Sequence, residues 1–280
     1  MIGSWAPQSG SWPQVLGLLS DRVAAQWKGD VAKVRNLARL IGQTDSYRPL
    51  PGSVLARDDE KLSPYGVSYA ALHNLNTGVT QLQAAQELME KGPQRVVAAA
   101  TLLRSSLEAL AVALWILDSD EQIERISRTL AWFKHNVADE RVAFEDFVGK
   151  ELSGDNRTAD IRHIARQNSV KLSRVNARVH STEALRFADT SLDVPNHLLL
   201  YIWRLCSGVA HGRPWAFANL SSTAPRAPGA GSEQLVLDEA SLRVPFRIAV
   251  VLLDAVIVAF GERTEAGPVP PLDTPDMGDS

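Results

Sequence analysis

The chain has 280 residues, 45% of them hydrophobic and 22% charged, with a formal charge of −3 at pH 7. This is too apolar for a disordered chain and long enough to bury a sizeable core, and the acidic balance gives no general attraction to nucleic acid or anionic membrane. The single cysteine, Cys206, excludes an internal disulfide and a cysteine-based structural zinc site, and it fits a reducing, cytoplasmic setting.

Residues 1–12 are rich in Gly, Ser and Pro and read as a frayed start without the basic and apolar regions of a signal peptide. Over residues 13–42, Val15, Leu16, Leu19, Val23 and Trp27, then Val34, Leu37, Ala38 and Ile41, recur at helical spacing, with Gly29 and Asp30 as a break point. Residues 44–64 read as a loop, and their acidic cluster Asp58, Asp59 and Glu60 as solvated. A second helix is predicted over 65–91, stopped by Gly92-Pro93, and a third over 93–117. Ser119, with Gln122 at the capping-box position, predicts a fourth helix running toward Gly149. A turn at 153–156 leads to a basic, exposed fifth helix over 157–180. The sixth is expected to start from Asp193 as cap and Pro195 in the first turn, and to run to Gly212. A loop over 213–231, a short strand at 234–237 and a last helix over 241–262 follow. The apolar run 244–260 holds Arg247 and Asp254, which predicts a buried helix and not a membrane span. The expected fold is all-α: an N-terminal helical extension and loop over 1–64, a multi-helix bundle over 65–265, and a disordered C-terminal tail over 266–280.

The sixth helix is the most site-like stretch. At about 100° per residue, His197, Tyr201, Arg204, Gly208 and His211 share one stripe, while Leu198, Leu199, Ile202, Trp203, Leu205, Cys206 and Val209 form an apolar face. In the third helix the only charges between Arg95 and Asp118 are Arg104 and Glu108, four apart in an otherwise apolar segment. They are expected to pair inside the bundle, either as a structural salt bridge or as a pair that orients a facing site. Arg125 and Arg128 share a face on the polar start of the fourth helix and read as solvated; Arg247 and Asp254 repeat the embedded-charge pattern in the last helix. Together these charges predict one internal polar cluster. Cys206, on the apolar face, reads as a buried small hydrophobe. Asp160 and His163 are spaced for one side of a metal site, but no second set accompanies them, so neither a metal nor a cofactor is expected.

Arg204 and His211, with six residues between them, resemble the Arg-x(4–6)-His motif of the HEPN superfamily of helical-bundle proteins. The wider pattern is similar to uncharacterised bacterial helical proteins: Arg104 to Glu108, Trp115 to Asp118, Arg125 to Arg128, and Tyr201 to Gly212. It spans roughly residues 95–260. Many HEPN proteins are metal-independent ribonucleases of toxin–antitoxin and phage-defence systems; others are inactive or are partners of nucleotidyltransferases. The resemblance implies an RNA substrate, a homodimer, and an antitoxin or nucleotidyltransferase partner. It assigns phosphate stabilisation to Arg204 and acid–base work to His211, supported by Tyr201, Ser207, Arg104, Glu108, Arg125 and Arg128. Leu205 stands where active members often carry Asn, Asp or His after the motif arginine. The rival reading is a non-catalytic helical interaction or ligand-binding protein whose polar cluster is structural. Direct DNA binding is disfavoured by the acidic charge and the lack of a helix-turn-helix.

Overall fold

A computed structural model of the chain describes residues 12–41, 48–149, 155–194, 197–220 and 239–265. Every regular element among them is helical, so the all-α architecture stands. The helices are α1 (Trp12–Ile41), α2 (Val54–Leu62), α3 (Val67–Glu90), α4 (Val96–Leu117), α5 (Gln122–Val148), α6 (Arg157–Gln167), α7 (Leu172–Asn176), α8 (Ser181–Ser191), α9 (Leu198–Ala210), α10 (Pro214–Leu220) and α11 (Glu239–Thr264). The strand expected at 234–237 and the tail at 266–280 lie outside the described residues.

The bundle is built around α4. A helix that is apolar on nearly every side needs neighbours on every side, and α4 packs against α3, α11, α9 and α8. Leu103, Leu107, Leu110, Ile116 and Leu117 are fully buried, each contributing about 1.5–3 kcal/mol by leaving water. The approach to α3 is close because Gly78 has no side chain: a Cβ there would lie 2.6 Å from Cγ of Leu110. Next to it the Ser106 hydroxyl donates to the Gly78 carbonyl at 2.8 Å.

α1 and α11 lie side by side on this core. Trp27 meets Phe246 edge-on at 4.9 Å. Asp30, read as a break in α1, is buried in a continuous helix and accepts from Arg247 at 2.5 Å, while Lys33 pairs with Asp254 at 2.7 Å. Among the described residues two helical stretches, Pro93–Leu117 and Ala240–Thr264, are long and apolar enough to cross a membrane by length and composition, and 56% of the 18-residue apolar window in each is buried inside the molecule.

Three local expectations are corrected. The segment read as a solvated loop contains α2, capped by the Ser53 hydroxyl accepting from the Ala56 amide, with Leu55 and Leu62 in the core. The fifth helix, expected over 157–180, is α6 and α7, interrupted at 168–171 and ended by 177, and α8 follows where no element was expected, burying Ala184, Leu185 and Ala188. The stretch after His211 is not all loop, since Pro214–Leu220 forms α10 against α9.

Candidate functional site

α9 starts under control of another helix. Its first amides, those of Leu199 and Leu200, donate to the two oxygens of buried Asp189 from α8, at 2.8 and 3.3 Å. Asp189, not Asp193, is therefore the cap, and the His197 backbone precedes the helix at φ +55°. Pro195 lies outside the described residues. Burial raises the Asp189 carboxyl above its ordinary value, against the two amides that favour the charge. From this cap α9 turns Leu199, Ile202, Leu205, Cys206 and Val209 into the core. Complete burial pushes the Cys206 thiol up to about 12, so it is a core group and not a nucleophile.

The opposite side carries the stripe. Arg204 and His211 are exposed, and Tyr201 and Ser207 are half-buried; burial raises the Tyr201 hydroxyl. Neither Arg204 nor His211 has an ion-pair partner among the described residues. Gly208 interrupts the stripe, and its close neighbour is α10: a Cβ on it would lie 2.5 Å from Cβ of Ala216 and 3.1 Å from the Trp215 ring. The Arg213 amide donates to the Gly208 carbonyl at 2.8 Å, which closes the α9–α10 corner. His211 sits at the C-terminal cap, its own amide donating to the Ser207 carbonyl at 3.0 Å. Arg204 thus emerges one turn before the α10 contact and His211 just after it.

Arg104 and Glu108 pair at 3.2 Å as spaced, but they are not internal: their side chains are 28% and 26% exposed. They lie where α4 meets α9, and the second partner of Glu108 is Trp203, whose indole N–H donates at 2.7 Å. Arg104 stands over the Trp203 ring at 5.6 Å. Glu108 therefore ties α4 to α9 through Trp203.

Arg125 reverses its expectation. Its side chain is 4% exposed and the carboxylate of Asp58, on α2, is fully buried. The guanidinium meets it at two points, Nε to Oδ2 at 2.7 Å and Nη2 to Oδ1 at 3.2 Å, the forked geometry that makes such pairs strong. Its Nη1 donates to the Ser119 and Asp120 carbonyls, so one side chain joins α2, α5 and the α4–α5 turn. Gln122 donates to Asp58 at 2.7 Å and has no capping-box role. Next to Asp58, Asp59 accepts from the Ser68 amide at 3.0 Å and from the Ser68 hydroxyl; burial raises its carboxyl.

Arg128 is half-buried. Its Nη1 donates to the carbonyls of Trp115 at 2.6 Å and Asp118 at 3.2 Å, closing the end of α4. The guanidinium lies over the Trp115 and Phe187 rings at 5.6 and 4.7 Å. Burial lowers its pKa, since little water solvates the charge.

The expected single polar cluster is thus several separate arrangements: Arg104–Glu108–Trp203, Arg125–Asp58, Arg128 among aromatic rings, and the α1–α11 pairs. The stripe of α9 stands apart from all of them. No group of three His, Cys, Asp or Glu side chains suited to a metal occurs among the described residues, and the His163 ring meets the Gln167 amide at 2.9 Å. Sequence reasoning missed Asp58, Asp189 and Trp203 as partners. The Ser53 cap and the Leu55/Leu62 spacing were the available signals for α2; nothing local marks Asp189 as the cap of a later helix.

In class, then, this is an all-α bundle with a central apolar helix, and α9 presents an exposed Arg/His face, as α6 does with Arg162, His163 and Arg166. Comparison with known protein families, with curated proteins and with solved structures gives no match.

Proposed function

We propose that the chain is a HEPN-like, metal-independent endoribonuclease that acts as a homodimer. Arg204 stabilises charge on the scissile phosphate, and His211 takes the proton from the attacking 2′-hydroxyl and returns one to the departing 5′-oxygen. The products are a 2′,3′-cyclic phosphate and a 5′-hydroxyl. The observation that supports this reading is the exposure of both side chains without an ion-pair partner among the described residues. Asp58 pairs with Arg125 and Asp30 with Arg247 inside the molecule; Arg204 and His211 stay open to a ligand.

Spacing argues for a dimer. Seven residues of helix separate the two groups by about 10 Å along the axis, and α10 packs on Gly208 between them. Two α9 helices facing each other bring Arg204 of one copy to His211 of the other. Tyr201 and Ser207, half-buried on the same side, support the pair. A toxin or defence role, with an antitoxin or nucleotidyltransferase partner, is part of the same proposal.

The test is cleavage of single-stranded RNA by the purified chain in EDTA. The wild type should cleave, and His211→Ala and Arg204→Ala should each be inactive with unchanged melting. Mixing the two inactive variants should restore activity, because a mixed dimer holds one complete composite site. An inactive wild type, or cleavage that survives both substitutions, ends the ribonuclease reading. An inactive wild type whose variants fold normally leaves the non-catalytic interaction protein, a reading favoured by the structural engagement of Arg104, Glu108 and Arg125.

A further inference from the structure

A second location has the attributes of a ligand site and owes nothing to Arg204 or His211. Between α5, α7 and the start of α8 lies a half-open cleft of about 310 Å³, at the small end of the range for small-molecule pockets. Its apolar surface comes from Trp115, Ala131, Val179 and Ala184, and its cations are Arg128, Arg174 and Arg178.

The charges in the cleft do not balance. Glu124 is taken by Arg174 in a close ion pair. Among the lining residues that leaves Arg128 and Arg178 against Glu183; Asp118, outside the lining and bonded to the Ser191 hydroxyl, also acts on Arg128. Neither Arg128 nor Arg178 has an ion pair among the described residues. Arg128 is the telling group. It is held rigidly, with Nη1 on two carbonyls and its face against two aromatic rings, yet its Nε and Nη2 have no hydrogen-bond partner among the described residues. A half-buried guanidinium fixed in place with a free edge is preorganised for an oxyanion with two oxygens. The fold engages Nη1 and leaves that edge open to water, and so to a ligand.

We propose that this cleft binds a small organic anion, its carboxylate or phosphate held by Arg128 and Arg178 and its apolar body lying against Trp115 and Ala184. The cleft is larger than an inorganic anion needs, and its apolar lining gives an inorganic anion nothing to contact. A neutral apolar molecule leaves both arginines unmatched.

Calorimetric titration of the full chain with four probes tests this: phenyl phosphate, benzoate, inorganic phosphate and benzyl alcohol. Phenyl phosphate or benzoate should bind, the stronger of the two identifying the head group, and both should exceed inorganic phosphate and benzyl alcohol. Arg178→Ala removes an exposed side chain and should not disturb folding. It should weaken binding by roughly 10–100-fold, the range for a lost hydrogen bond to a charged group. Arg95→Ala, at the opposite end of α4, should leave binding unchanged. The proposal is overturned if neither aromatic anion binds, if inorganic phosphate or benzyl alcohol binds as well as they do, or if Arg178→Ala and Arg95→Ala behave alike.

Discussion

The start of α5 and the exposed side of α9 look alike as sequence: each places two basic side chains on one face of a helix. In the molecule they differ. Arg125 is buried in a forked pair with Asp58 and Arg128 closes the end of α4, whereas Arg204 and His211 stand in solvent. The difference lies in what each helix packs against. α5 meets α2, whose Asp58 carboxylate arrives from 67 residues away; the Arg204–His211 part of the α9 stripe has α10 against it at Gly208, which brings no carboxylate to either side chain among the described residues. A charged stripe takes its role from the partner helix and not from its own spacing.

The most severe way to break the contrast is Asp58→Ala. It leaves Arg125 buried and unpaired, and the expected loss is about 3–5 kcal/mol, read from urea unfolding. A loss below about 1 kcal/mol, the ordinary value for an exposed pair, would show that α2 does not seal this site.

Gly208→Ala comes next. The new methyl would lie 2.5 Å from Cβ of Ala216, so α10 must shift. The expected cost is about 1–3 kcal/mol, the usual penalty for overpacking. An unchanged melting temperature would mean that α10 is not seated on α9.

A smaller effect sharpens the account of α2. The folded state raises the pKa of Asp59 from 3.8, chiefly by desolvation. A carboxyl with a raised folded pKa binds its proton more tightly when folded, so its contribution is complete below about 3.8 and is lost as pH rises through the raised value. Asp59→Asn does not titrate. Relative to this variant the wild type should therefore lose stability as pH increases from about 3.5 toward neutrality. A stability difference that is flat over that range, or that grows in favour of the wild type, contradicts the burial assigned to Asp59.

The smallest expected change in stability belongs to the other side of the comparison. Arg204→Ala and His211→Ala should each alter stability by no more than about 0.5 kcal/mol, because neither side chain is buried or ion-paired among the described residues. A large drop in melting temperature for either would give the stripe a structural role and remove its availability to RNA.

These contrasts also mark what was legible in the sequence. The apolar circumference of α4, the apolar face of α9 and the stop at Gly92-Pro93 are local patterns, and they placed the central helices and the burial of Cys206 correctly. The fate of a charge is not local. Asp58, Asp59 and Glu60 have the composition of a solvated loop, and only the arrival of Arg125 and Ser68 makes the burial of Asp58 and the half-burial of Asp59 tolerable. Asp193 is the nearest cap to α9 in sequence, but Asp189 reaches it in space. Arg104 and Glu108 were correctly paired yet misplaced in depth, since four-residue spacing fixes who meets whom and says nothing about the neighbouring helix that leaves them half open.

The pairing of α1 with α11 has a consequence for synthesis. Asp30 waits for Arg247 and Lys33 for Asp254, partners 217 and 221 residues away, and the Leu50 amide donates to the Thr264 carbonyl. A ribosome adding about 5–20 residues per second delivers α11 roughly 10–40 s after α1 has emerged. During that interval the nascent chain presents the Trp27 side of α1 and the α11-facing side of α4 without their cover. Helical bundles are ordinarily fast folders because their contacts are near in sequence; here closure of α1 on α11 is set by the time translation takes.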